Sequence, residues 1–115
     1  MNTSCLFCRI VAGEIPSARV FEDEQVMGFR DINPAAPQHI LLIPKKHIRS
    51  VATLDKEDAA LMGHLLLCAR TVAEQEGFTE AGFRSVLNTG QDGGQTVDHL
   101  HLHLLAGRPL HWPPG

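Results

Sequence analysis

Three histidines fall at alternate positions late in the sequence, in the run His99-Leu100-His101-Leu102-His103-Leu104. In a β-strand, residues i and i+2 share a face about 6.6–7 Å apart. The alternation therefore predicts a strand over Val97–Leu105, with three imidazoles lining one face and three leucines filling the core behind it. Near neutral pH an imidazole can serve as base, acid, nucleophile or metal ligand. Two chemistries fit this arrangement. Neutral imidazoles two apart can both reach one zinc ion. Alternatively, an imidazole nitrogen attacks the substrate covalently while its neighbours fix the tautomer and protonate a leaving group. The preceding segment, Asn88-Thr89-Gly90-Gln91-Asp92-Gly93-Gly94-Gln95-Thr96, favours the second. Its glycines let successive backbone N–H groups turn toward an anion, and Asn88, Gln95 and Thr96 offer further donors. Loop and strand together predict a phosphate held beside a nucleophile. Near the other end, Cys5-x-x-Cys8 has the spacing of half a zinc site.

The elements that must position these residues are short. Residues 5–12 predict two turns of helix, stopped by Gly13 and Pro16. Ala18–Phe21 and Gln25–Arg30 read as a hairpin around Asp23. Asn33-Pro34-Ala-Ala-Pro37 is a loop, and His39–Ile43 is a strand ended by Pro44. A long helix runs from about Asp55, as its N-cap, to Glu76, with Met62, Leu65, Leu66, Ala69, Val72 and Ala73 as its buried stripe. Arg84–Leu87 is the fourth strand. The tail from Arg108 to Gly115 is too rich in proline for helix or central strand. Hairpins around one long helix make an α+β fold with a mostly antiparallel sheet.

With 115 residues, the chain has the length of one domain. Hydrophobic residues are 43% and charged residues 20%, a globular balance. A net charge of −3 and pI of about 6.1 argue against nucleic acid held by a basic face. No apolar run approaches the roughly 18 residues a membrane span needs, and Met1–Cys5 shows no secretory signal. Three cysteines are too few, and odd in number, for a disulfide framework. The expectation is a cytoplasmic protein with reduced thiols or a metal.

His99-Leu-His101-Leu-His103-Leu-Leu105 resembles the histidine triad motif of the HIT superfamily. Ile15-Pro16, Glu22-Asp23-Glu24, Phe29-Arg-Asp31-Ile32, Ala36-Pro37-Gln-His39, Ile43-Pro44-Lys-Lys-His47-Ile48, Gly93-Gly94-Gln95-Thr96 and the closing His111-Trp112-Pro-Pro-Gly115 resemble its Hint branch. The resemblance implies a single HIT domain over 1–115, with a five-stranded antiparallel sheet, one long and one short helix, and a homodimer with a continuous ten-stranded sheet. The tail, 106–115, would lie at the dimer partner. The implied activity is purine nucleoside phosphoramidase: hydrolysis of adenosine 5′-phosphoramidates, and of aminoacyl-adenylates, to AMP through a covalent nucleotidyl-histidine. By the same resemblance His101 is the nucleophile, His39 and His99 support it, and His103 contacts the phosphate. Asp31 and Ile32 meet the nucleoside, Asp31 accepting from the ribose hydroxyls. Phe7, Ile10, Ile15 and Phe29 form the base pocket, and Asn88, Gly94, Gln95 and Thr96 the phosphate cradle. Trp112 reaches the partner's site. Thr96 stands where serine is common in this branch, and Asp98 where an aromatic is common.

Some bacterial HIT proteins resemble this chain at its C-x-x-C pair and complete a structural zinc site with two histidines, here His47 and His99. Cys5, Cys8, His47 and His99 are thus the implied ligands, and catalysis itself would require no cofactor. Two other functions compete: a hydrolase using catalytic zinc on the triad, and a non-catalytic nucleotide-binding protein. No acidic residue near the triad except Asp98, expected on the opposite face, supports the first. All three histidines are retained, which speaks against the second.

Overall fold

A computed structural model describes residues 4–115. Its sheet has five antiparallel strands: β1 (Arg19–Glu22), β2 (Val26–Arg30), β3 (Gln38–Pro44), β4 (Arg84–Leu87) and β5 (Leu102–Ala106), in the order β1-β2-β3-β5-β4. Helix α1 (Leu6–Val11) is short, α2 (Ala59–Glu76) is long, and α3 (Gly90–Gly93) is a single turn. Among the described residues no helix is long and apolar enough to cross a membrane.

The central strand β3 is buried on both faces, which explains its unbroken run of apolar residues. One face presents Ile40 and Leu42, with Val26, Leu102 and Leu104, to Leu65, Cys68, Ala69, Val72 and Ala73 of α2. The other presents Leu41, Ile43, Met27 and Phe29 to Phe7, Cys8 and Ile10 of α1. A helix of six residues is not stable alone in water, so α1 depends on this packing. The sheet therefore lies between two apolar layers, and α1 partly covers the face that carries the imidazoles.

Three local expectations are corrected. The last strand begins at Leu102, not Val97, because β4 ends at Leu87, paired with Leu102, and offers residues 97–101 no ladder partner. The Leu100 N–H instead donates to the Ile48 carbonyl at 2.7 Å. His99 consequently lies in a bend, off the strand. In the long helix, Leu66 is 55% exposed and Cys68 takes its place in the stripe, since Leu66 sits about 100° around the helix from Leu65. The α-helix proper starts at Ala59, after a 3₁₀ turn over Lys56–Asp58.

Candidate active site and metal cluster

His101 is buried, and its Nδ1–H donates to the carbonyl of His99 at 2.7 Å. That bond places the proton on Nδ1 and leaves the lone pair on Nε2. Phe7 packs edge-on against the ring, with centroids 5.1 Å apart, and the His103 ring lies 4.9 Å away. A second tautomer chain runs from the Asn33–Pro37 loop. The Ala35 N–H donates to His39 Nδ1 at 3.0 Å, so His39 carries its proton on Nε2. Nε2–H then donates to His103 Nδ1 at 2.9 Å, which puts the His103 proton on Nε2. Asp31 Oδ2 stands 3.4 Å from His39 Nε2, a longer contact that supplies field more than a bond.

Electrostatics agrees with neutral rings at His39 and His103. Burial, reinforced by the neighbouring His101 and His39, pushes His103 down to about 4. Burial also lowers His39, although Asp31 opposes it. His103 Nε2–H is thus a neutral donor.

A cleft of about 320 Å³ opens beside these rings. Its walls include Phe7, Ile10, Ile15, Phe29 and Leu41, and its rim Asp31 and Ile32. Thr96, His101 and His103 line it too. It is a mostly apolar slot with polar groups converging at one end, the shape of a small-molecule site.

Behind His101 lies a separate cluster. His99, with none of its surface exposed, donates Nε2–H to the Pro44 carbonyl at 2.8 Å, which leaves Nδ1 as a lone pair. Nδ1 is 3.3 Å from Cys5 Sγ, 3.6 Å from Cys8 Sγ and 3.1 Å from His47 Nδ1. Cys8 Sγ is 3.4 Å from His47 Nδ1. A tetrahedral zinc with usual bond lengths sets its ligand atoms about 3.3–3.8 Å apart. The observed spacings match or fall slightly inside that range. The Cys8 N–H also donates to Cys5 Sγ at 3.4 Å, as suits a thiolate. A backbone carbonyl on the far ring nitrogen is the usual outer partner of a metal-ligating histidine. The four side chains thus fit zinc. Burial lowers the His99 pKa, keeping it the neutral ligand that a metal needs.

A HIT-domain family model matches residues 12–110. The chain belongs to the HIT family. Its sequence is 52% identical, over the full length of both chains, to an uncharacterised HIT-like protein of Synechococcus elongatus. It is 49% identical to a 14 kDa zinc-binding protein of Zea mays, over 99% of this chain and 90% of that one. A solved HIT family hydrolase from Legionella pneumophila Philadelphia 1 superposes with TM-score 0.95 at 50% identity, covering 96% of this chain and 99% of that chain.

Not every residue expected of this HIT chain meets at the cleft. Phe7, Ile10, Ile15, Phe29, Asp31, Ile32, Thr96, His101 and His103 line it, whereas His39 stands one ring behind and His99 faces the cysteines. Asn88, Gly94, Gln95 and Trp112 do not line it. The glycine-rich segment forms α3, closed by Gly94 in the left-handed conformation (φ +81°) that glycine adopts without strain. Gln95 ties this turn down: Oε1 accepts from Gly90 N–H at 3.0 Å, and Nε2 donates to the Arg49 carbonyl at 2.7 Å and the Val97 carbonyl at 3.0 Å. Trp112 is 81% exposed on a tail held by Arg84, whose Nη2 donates to the carbonyls of Leu110 and His111. Leu41 and Ser17 of the cleft wall were not singled out from sequence. Leu41 is hidden in the apolar run of β3, and Ser17 carries no motif.

The depressed His103 pKa has a stability consequence. Between about pH 6.5 and about 4 the unfolded chain binds a proton at this position that the folded chain does not, so stability falls as pH drops through that window. Denaturant titrations at pH 7 and pH 5 should show this loss in the wild type and a smaller one in His103→Asn. Equal losses in the two proteins would contradict the assignment.

Proposed function

We propose that this protein is a purine nucleoside phosphoramidase of the Hint branch, a hydrolase that cleaves the P–N bond of adenosine 5′-phosphoramidates, and the P–O acyl-phosphate bond of aminoacyl-adenylates, to give AMP. The observation that carries the reading is the His101 Nδ1–H bond to the His99 carbonyl, which aims an Nε2 lone pair at the polar end of an apolar slot. The flat base enters between Phe7, Ile10, Ile15 and Phe29, and the Asp31 carboxylate accepts from the ribose hydroxyls. Ile32, at the rim, packs on the nucleoside.

In the first step Nε2 of His101 bonds to the α-phosphorus and the P–N bond breaks. The amine leaves with a proton drawn from water at the cleft mouth. In the second, water attacks phosphorus, the Nε2–P bond breaks and a proton is released with AMP, restoring the neutral ring. His103 Nε2–H and the Thr96 segment donate to the phosphoryl oxygens as their charge grows. His39 holds His103 in the donating tautomer, and the His99 carbonyl holds His101 in the tautomer whose Nε2 is free to attack. Asn88, Gly94 and Gln95 serve this cradle by shaping the loop that presents Thr96.

Zinc held by Cys5, Cys8, His47 and His99 would be structural, closing its coordination with protein ligands and tethering α1 to the sheet. The hydrolytic chemistry needs no metal or other cofactor.

We also infer a homodimer. Edge strand β4 is unpaired on one side, with Leu87 and the adjoining Phe83 partly exposed, and Leu66 and Leu67 of α2 are exposed as well. Joining two β4 strands gives the ten-stranded sheet, and the tail of 106–115 then sets Trp112 at the partner's cleft. Sedimentation at the mass of a single 12.6 kDa chain would remove this inference. A purine nucleotide and a second copy are the partners; the net charge of −3, with no helix among the described residues long and apolar enough to cross a membrane, favours neither nucleic acid nor membrane, and a cytoplasmic setting suits reduced thiols.

His101→Ala should lower kcat/KM for adenosine 5′-phosphoramidate by at least about 10³-fold in protein that remains folded at 25 °C, its melting temperature lower by several degrees. Acid-free quenching of the wild type should trap AMP on His101. Retained turnover, or no adduct under burst conditions, would refute the mechanism. Chelation should lower the melting temperature of zinc-loaded protein by several degrees while kcat at 25 °C persists; complete, zinc-reversible loss of turnover in folded protein would favour catalytic metal instead.

A further inference from the structure

A second group of ligand-type side chains lies in the other core layer, where the β1–β2 turn meets α2, and the hydrolytic mechanism uses none of it. We propose that Asp23, His64 and Cys68 form a second divalent-metal site, of the zinc class, with three protein ligands and one position open to water.

The placement is built into the fold. His64 and Cys68 are one helical turn apart on α2 and so project from the same face. Asp23 is held from the opposite side: its Oδ1 accepts from Gln25 N–H and Val26 N–H, both at 2.8 Å, which turns Oδ2 toward the helix. Oδ2 lies 2.6 Å from His64 Nε2 and 3.8 Å from Cys68 Sγ, and Sγ lies 3.5 Å from Nε2. All the donor atoms are within 4.8 Å of one another.

Around a tetrahedral zinc, S–N and S–O ligand pairs are about 3.6 Å apart and N–O pairs about 3.3 Å. Two of the three edges are already near those values. The third must widen by less than about 1 Å, a shift open to the His64 side chain, which is 36% exposed. The Asp23 side chain is 33% exposed, so the ion has an entry path, while the thiol is buried at the inner end.

The donor set selects the metal. A thiolate and an imidazole favour zinc or cobalt over calcium or magnesium, which prefer oxygen ligands alone. The proton balance is definite. Nε2–H of His64 now donates to Asp23; on binding, that proton moves to Nδ1, and the Cys68 thiol releases its proton to solvent. Aspartate and thiolate together then neutralise the divalent ion. Burial, with Asp23 beside it, holds the free thiol up at about 11, so binding should strengthen as pH rises.

Cobalt(II) titration of the metal-stripped, reduced protein, followed by thiolate-to-metal charge transfer and by bound-metal analysis, tests the site. The wild type should take up two equivalents. Cys5→Ser/Cys8→Ser should keep one, with single-thiolate absorption, and His64→Ala should keep only the other, with its fold confirmed by melting. His64 is partly exposed, so its replacement spares the core. The proposal is overturned if the wild type saturates at one equivalent that His64→Ala retains. If the wild type binds one equivalent that His64→Ala loses, this site stands and the cluster of Cys5, Cys8, His47 and His99 is refuted.

Discussion

One imidazole with no exposed surface joins the two halves of the candidate site. His99 donates through Nε2 to the Pro44 carbonyl, accepts through its own carbonyl from His101, and turns Nδ1 toward Cys5, Cys8 and His47. Each contact answers a polar group that burial would otherwise leave unsatisfied, at a cost of about 1–3 kcal/mol apiece. Because all three converge on a single residue, the ring cannot turn without breaking its bond to Pro44 and disturbing the cysteine cluster, and the main chain at 99 cannot shift without disturbing the His101 tautomer.

The surrounding fold makes that ring's position possible. The end of β3 places the Pro44 carbonyl, and the Leu100 N–H bond to Ile48 fixes the main chain on the far side of His99. Helix α1 closes the front. Its Phe7 touches the rings of both His99 and His101 edge-on and also packs on Phe29. A helix this short has little stability of its own, so its position comes from packing and from the cysteines at its start. The apolar slot and the cysteine cluster thus share a wall, with Phe7 toward one and Cys8 toward the other.

Much of this was legible in the sequence. Period-two and period-3.6 patterns located the strands and the long helix, and the His-x-His-x-His run marked the polar end of the slot. What failed to show was anything decided by a partner distant in the chain. Val97–His101 has strand-like alternation, but pairing was unavailable beyond Leu87, and no local pattern reveals that. Leu66 reads as core because its type is apolar, yet its angle on α2 turns it outward. Gln95 reads as a free donor, whereas three main-chain groups occupy its amide. Conversely, Asp23, His64 and Cys68 are separated by 41 and 4 positions and share no metal-ligand spacing; only the hairpin turn brings the carboxylate to the helix.

Three of the four hydrogen bonds that set the imidazole tautomers share one property; the fourth, from His39 to His103, joins two side chains. The acceptor for His99 is the carbonyl of residue 44, the acceptor for His101 is the carbonyl of residue 99, and the donor to His39 is the N–H of residue 35. Main-chain groups persist whatever side chain a substitution installs there, except that proline at 35 would delete the donor. Proton placement is therefore inherited with the chain trace. Genetic drift can alter these positions without retuning the rings, so such supporting partners leave almost no trace in amino-acid identity.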